Sequence, residues 1–473
     1  MMLQDRKLGF LALVSLVVGS MIGGGIFSMP GDMAQEANSG AVLVAWLITG
    51  LGVIMLALTF QNLADRYPHL YNGIYSYAKE GFGQFIGFLS AWGYWLANML
   101  TIVASSILLF SALSYFFPVF EDGNNLISIA CASVLIWMLH IFLLRGLNEA
   151  AVVNGLITLA KLIPIGVFIV ILFAAFQLDT FRFRFWGSDT FDWSVVGGQV
   201  NKTMLITVWA FLGIEGAVVF SGRARRRKDV GKATVMGLLG TLIIYMLVSL
   251  LSYGIFPREQ LAGLRTPSMA YVLEHVLGPW GAALINIGLI ISLFGLVIGM
   301  SLLSAETLFV AAKDRVLPKW AAYENKNGTP AGSFWITTLS VQVVLLFVIF
   351  MGSTYQTIYQ VTTTAILLPY LFSTAYLVKS CLKASGRKKA ANGGKGLVFG
   401  LFSSIYAGYL LYAAGFHNLL YASVLYGAGL ILFFRVYRQD GGKSIHYSKT
   451  DALLTFLILL MCLYCLLSFA GFF

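Results

Sequence analysis

The sequence predicts an all-α polytopic membrane protein containing two inverted five-span repeats. Three observations carry the prediction: an apolar composition, apolar runs of span length recurring along the chain, and two glycine interruptions five spans apart. Of the 473 residues, 59% are hydrophobic and 11% charged, and the mean hydropathy is +0.83. That balance excludes an ordinary soluble globular protein. The apolar runs lie near 8–30, 40–64, 86–117, 125–144, 150–176 and 199–221, then near 231–256, 279–312, 332–352, 355–380, 397–415 and 418–436. A further run at 452–472 follows a polar stretch and makes a thirteenth span.

The first run follows Asp5, Arg6 and Lys7 directly and has no small-residue cleavage site, so it is expected to be a retained span rather than a secretory peptide. Within it, Gly19-Ser20-Met21-Ile22-Gly23-Gly24-Gly25-Ile26-Phe27-Ser28-Met29-Pro30 interrupts the helix. Each of the three adjacent glycines costs about 1 kcal/mol against alanine in a helix. The backbone groups they free cannot face lipid, so the break must sit within protein or line a cavity. Spans two and three are joined by Tyr67–Tyr77, whose aromatics suit the membrane interface. The aromatic stretch Phe181–Trp193 is the expected external loop between spans five and six.

Span six carries the second interruption, Trp209-Ala210-Phe211-Leu212-Gly213-Ile214-Glu215-Gly216-Ala217, with two glycines close to a polar residue. Paired breaks five spans apart point to inverted repeats that meet at a central site, the arrangement by which several secondary transporters bind a small polar solute. Because five is odd, the second repeat enters the membrane from the opposite face. The basic 383–395 segment is expected to be a flexible cytoplasmic linker before the terminal spans.

The formal charge of +11 follows from topology rather than from an anionic partner. With the N-terminus cytoplasmic, Arg223, Arg225, Arg226, Arg227 and Lys228 fall inside, as do Lys313, Arg315, Lys319, Lys383, Arg387, Lys388 and Lys389. Only Arg182, Arg184, Lys202, Arg258 and Arg265 are left outside, as the positive-inside rule requires. Nucleic acid is therefore not an expected partner. An odd span count then places the C-terminus outside. The Cys462-Leu463-Tyr464-Cys465 pair lacks both a βαβ context and a second ligand pair, and reads as small apolar filler.

Ionisable residues within spans are the default functional candidates. Glu215 lies in the span-six break, Glu306 in the cytoplasmic half of span eight, and Lys161 in span five, within a turn of Pro164. Lys161 either snorkels to the inner boundary or supplies a fixed positive charge in place of a bound metal cation. The amides of the span-one break suit a carboxylate, and the carbonyls of both breaks suit an ammonium. Together they fit a zwitterion. Trp209, Phe211, Tyr94 and Trp95 are candidates for a gate or for stacking on a guanidinium, Trp209 first because it stands near Glu215. Thr362, Thr363 and Thr364 are either pocket donors or back-bonded helix residues. The triple glycine lacks the strand and downstream acid of a dinucleotide site, and the five histidines show no metal-ligand spacing. No enzyme activity, cofactor or metal is expected.

The pattern Gly19–Pro30 resembles the amino acid–polyamine–organocation superfamily. So do Trp209–Glu215 with Ser221-Gly222-Arg223-Ala224 and Asp229–Thr234, and Lys313-Asp314-Arg315-Val316-Leu317-Pro318 with Asn327-Gly328-Thr329-Pro330. The resemblance covers roughly 8–440 and is nearest to the basic amino acid and polyamine antiporters, in particular the arginine–ornithine exchangers. It implies a LeuT-type five-plus-five inverted repeat. On this basis 1–440 is the transporter core, with spans eleven and twelve added to the repeats, and 441–473 an additional C-terminal helix. The carboxylate-binding motif maps onto Gly23, Gly24 and Gly25, with Ser20 and Ile22 beside it. Span-three pocket positions map onto Ala97, Asn98 and Ile102, span-six positions onto Trp209 and Leu212, the acidic gate onto Glu215, and a span-ten hydroxyl onto Thr362. Where a span-eight tryptophan packs the substrate in the arginine–agmatine antiporter, this chain has Met300. Lys161 resembles the lysine that stands at the ion position of sodium-independent relatives. The resemblance implies sodium-independent exchange of a cationic amino acid for its metabolic product across a bacterial plasma membrane. Arginine–ornithine is first, with lysine–cadaverine or histidine–histamine exchange and proton-coupled uptake as alternatives, and an amino-acid-binding receptor as the non-transport one. The expected partners are amino acid or amine substrates and the lipid bilayer, with a homodimer left open.

Overall fold

The computed structural model describes residues 10–70, 73–145, 150–188, 190–214, 227–352, 354–383, 387–439 and 447–469, and every longer regular element among them is an α-helix. α1 (Phe10–Met21) stops where the glycines begin. A single 3-10 turn, Gly25–Phe27, leads into α2 (Met29–Glu36), with Pro30 in its first turn, where no N–H is needed. α3 (Ser39–Arg66), α4 (Ile74–Phe82), α5 (Gln84–Leu113), α6 (Leu126–Leu144) and α7 (Ala150–Ala175) complete the first half. The short α8 (Leu178–Arg182) precedes α9 (Trp193–Ala210), which Asp192 caps by accepting the Ser194 amide at 2.8 Å. Next come α10 (Arg227–Ser252), two short helices α11 (Arg258–Ala262) and α12 (Ser268–Leu277), then α13 (Pro279–Lys313), α14 (Ala331–Met351) and α15 (Tyr355–Lys383). The chain closes with α16 (Arg387–Ala413), α17 (Gly415–Gln439) and α18 (Lys449–Phe469).

Ten of the described helices (α3, α5, α6, α10 and α13 to α18) contain stretches long and apolar enough to cross a membrane. Three expected spans are absent from that set: span one because its helix is broken, span five because only Lys161–Ala175 of α7 counts as an apolar helix, and span six because the 18 residues of α9 include Gln199, Asn201 and Lys202. The expected flexible linker at 383–395 is a correction: α16 already begins at Arg387. Arg387, Lys388, Lys389, Ala390 and Ala391 are strong helix formers, so the helix continues past the apolar run.

α5 is the central post, buried along nearly its whole length between α13 and α15. α1 lies against α10, and α3 against α9 and α10. These contacts are locked by hydroxyls, which find few other partners in an apolar interior. Thr49 Oγ1 donates to Thr207 Oγ1 at 2.6 Å, and Trp46 Nε1 to Ser249 Oγ at 2.8 Å. α18 packs on α17 and leaves most of its surface exposed, as a lipid-facing helix does.

Candidate binding site

The two interruptions meet. Helical hydrogen bonding in α1 closes with the Ile22 amide on the Val18 carbonyl, and resumes only when Phe27 and Ser28 donate to Gly24 and Gly25. Among the described residues, the amides of Gly23, Gly24, Gly25 and Ile26 have no acceptor. These four residues line a cavity of about 30 Å³ with Met21, Thr101, Trp209, Ala210, Leu212, Tyr245, Leu296 and Met300. That is room for about one water; a larger ligand must move the walls.

The free carbonyls of the breaks are held from two sides. Tyr245 places its hydroxyl 2.8 Å from both Met21 O and Ala210 O, tying the end of α1 to the end of α9. Lys161, 6% exposed, donates to Gly19 O at 2.6 Å and also to Ile22 O. Its amine therefore does not snorkel; it is buried against the carbonyls of the span-one break. Met21 and Ala210 also line the cavity, and each carbonyl retains a second lone pair for a ligand ammonium. Span six turns at Phe211–Ile214, and Gly213 there has φ +101°, a backbone state costly for any residue with a side chain.

Trp209 closes one wall. Its indole N–H donates to the Tyr355 hydroxyl at 3.2 Å, and its ring stacks on Tyr359 with centroids 5.8 Å apart. The glycines are needed for this closeness. A Cβ on Gly25 would stand 2.6 Å from Trp209 Nε1, and one on Gly24 would stand 2.3 Å from Leu293 Cδ2.

Of the residues expected at the site, Gly23, Gly24, Gly25, Trp209, Leu212 and Met300 line this cavity. Ile22 is fully buried beside it and contributes its carbonyl to Lys161. Ala97 is buried, and its carbonyl accepts from Thr101 Oγ1 at 2.7 Å. Asn98 is buried outside the lining, its Nδ2 without a partner among the described residues. Ile102 lines a different, smaller cavity with His140 and Phe334. Thr362 is buried with its hydroxyl bonded back to Ile358 O at 2.7 Å, and Thr363 and Thr364 are back-bonded likewise. Glu306 is exposed on α13 away from the lining. Phe211 packs on Trp46 and Tyr245, and Trp95 donates to Thr337. Glu215 and the side chain of Ser20 lie outside the described residues.

Thr101, Leu296 and Tyr245 were not expected. For Tyr245 the signal was present: a phenol in the middle of the apolar run 231–256 needs a buried partner.

A family model described as amino acid permease matches residues 8–434. The chain is 47% identical over 445 residues to an arginine/ornithine antiporter of Pseudomonas aeruginosa, covering 93% of this chain and 92% of that protein. It is 42% identical over 435 residues to a putative arginine/ornithine antiporter of Escherichia coli, with 91% and 92% covered. An arginine/agmatine antiporter of Chlamydia pneumoniae is 39% identical over 453 residues, with 94% and 92% covered.

Proposed function

The chain belongs to the amino acid permease family, and we propose that it is a secondary antiporter exchanging a cationic amino acid for its metabolic product, with arginine and ornithine as the pair. The observation that carries this reading is the row of unbonded amides at Gly23–Ile26, open to a cavity whose other wall is the second broken helix. Four N–H groups at the entry to a helix bind an oxyanion by hydrogen bonds and by the helix dipole. The α-carboxylate is the group they suit. Met21 O and Ala210 O offer acceptors for the α-ammonium, which leaves the side chain beside Trp209, Leu212 and Met300. The names of the relatives direct the choice of pair, and Met300 disfavours agmatine-type packing against a tryptophan.

Alternating access moves the half-helices α1, α2 and α9 against α5 and α13. Trp209 separates from Tyr355 to admit the ligand, and the gradients of the two solutes drive exchange. The Lys161 amine already occupies carbonyls of the span-one break, which supports exchange without a sodium ion at that place. The same proposal has the N-terminus in the cytoplasm, on the distribution of basic residues, and α18 as the additional C-terminal helix outside the 1–440 core.

The test uses vesicles loaded with ornithine and supplied with labelled arginine. External arginine and ornithine should compete for uptake, whereas agmatine and putrescine, which lack the α-carboxylate, should compete poorly. Replacing sodium by choline should leave the rate unchanged. Equal competition by the amines would remove the carboxylate from the account, and a sodium requirement would remove the role given to Lys161.

A further inference from the structure

Asp32 is a buried acidic side chain that the site described so far leaves unused. It lies in the first turn of α2 and is 4% exposed. Its Oδ1 accepts one hydrogen bond, from Gln356 Nε2 at 3.1 Å, and the same amide stands 3.3 Å from Thr266 Oγ1. Among the described residues, no lysine, arginine or histidine forms an ion pair with it. The nearby cation at the other end of α2, Arg258, is turned to the carbonyls of Ala34 and Gln35 and to Asn38. A carboxyl buried in a span against a neutral amide is either kept neutral by a proton or matched by a cation that arrives during the working cycle.

Its position links it to the site. Gln356 follows Tyr355, the residue bonded to the Trp209 indole. The Tyr355 hydroxyl stands 3.4 Å from where a Gly25 Cβ would be. Asp32 is thus linked through Gln356 to Tyr355, the hydrogen-bond partner of the cavity-lining Trp209.

We propose that Asp32 is a specificity-determining residue, selecting substrates that carry a positive charge on the side chain. When Trp209 and Tyr355 separate, the carboxylate exchanges the Gln356 amide for the ligand's cationic end. This assignment rests on the reading that the substrate is a cationic amino acid.

Citrulline is the decisive probe, because it keeps the shape of arginine and replaces the guanidinium by a neutral urea. Exchange of arginine and of citrulline is measured in ornithine-loaded proteoliposomes for the wild type, Asp32→Asn and Asp32→Glu. The wild type should prefer arginine. Asp32→Asn should cut the arginine-to-citrulline ratio of kcat/KM by about tenfold or more, the size of a lost charge-assisted hydrogen bond, and Asp32→Glu should restore much of it. Asp32→Ser, smaller and also uncharged, serves the same purpose if the Asn variant does not purify as a monodisperse species. A fall shared equally by arginine and citrulline, or an unchanged ratio, overturns the assignment while arginine exchange itself stands. A wild type that exchanges no cationic amino acid overturns the proposed function and the assignment together.

Discussion

At the scale of single residues, the site depends on groups too small or too well placed to be replaced. Gly25 has no space for a side chain, since its Cβ would meet the Trp209 indole at 2.6 Å. Gly25→Val is expected to abolish substrate binding, read by isothermal titration with arginine; unaltered affinity would mean that the glycines serve only helix packing. Lys161 makes the opposite case, a long side chain fully used. Lys161→Met keeps the stem but leaves the Gly19 and Ile22 carbonyls without their donor. A loss of about 2 kcal/mol or more follows from unsatisfied buried acceptors, seen as a lower melting temperature in detergent. A wild-type melting temperature would place the amine outside the stability of the break.

At the scale of elements, the two broken spans act as a joined pair. The Tyr245 hydroxyl is 2.8 Å from the last carbonyls of both α1 and α9. Tyr245→Phe removes that oxygen without changing the ring that packs on Trp46 and Phe211. It should cost about 1 kcal/mol and slow exchange more than it weakens binding, because the two half-helices lose their tie. Exchange kinetics together with titration separate the two effects. The far end of α2 is held differently. Arg258 donates to Ala34 O at 2.9 Å, Gln35 O at 3.2 Å and Asn38 Oδ1 at 3.0 Å, capping the carbonyls that the helix leaves open. Arg258→Lys retains the charge but not the planar fork, so it should recover only part of the stability lost in Arg258→Ala, measured by thermal unfolding.

At the scale of the whole molecule, much of the architecture was legible because a bilayer allows few solutions. Apolar runs of span length have to be helices, and α3, α5, α6, α13 and α14 fall where the runs place them. The glycine break was legible for the same reason, since freed amides in a membrane need a use. What hydropathy concealed was the polar continuation of helices. The run at 8–30 ends before Asp32, yet α2 continues to Glu36 and buries that acid, which hydropathy alone does not show. α4, α8, α11 and α12 are short helices that lie outside the apolar runs, so a search for runs of span length passes over them, although α4 and α12 each bury one apolar face. Side-chain direction was hidden too. Ile102 lies only one residue beyond the lining residue Thr101, yet it faces another cavity, and the Thr362 hydroxyl turns back onto its own helix.

The central claim is that the paired breaks form one site that carries amino acids by exchange. Counterflow in purified proteoliposomes tests it most directly, with labelled arginine outside and either unlabelled ornithine or no amino acid inside. Uptake that requires internal ornithine, with one molecule leaving for each that enters, is the predicted result. Uptake of equal size into empty vesicles driven by a pH gradient would contradict it.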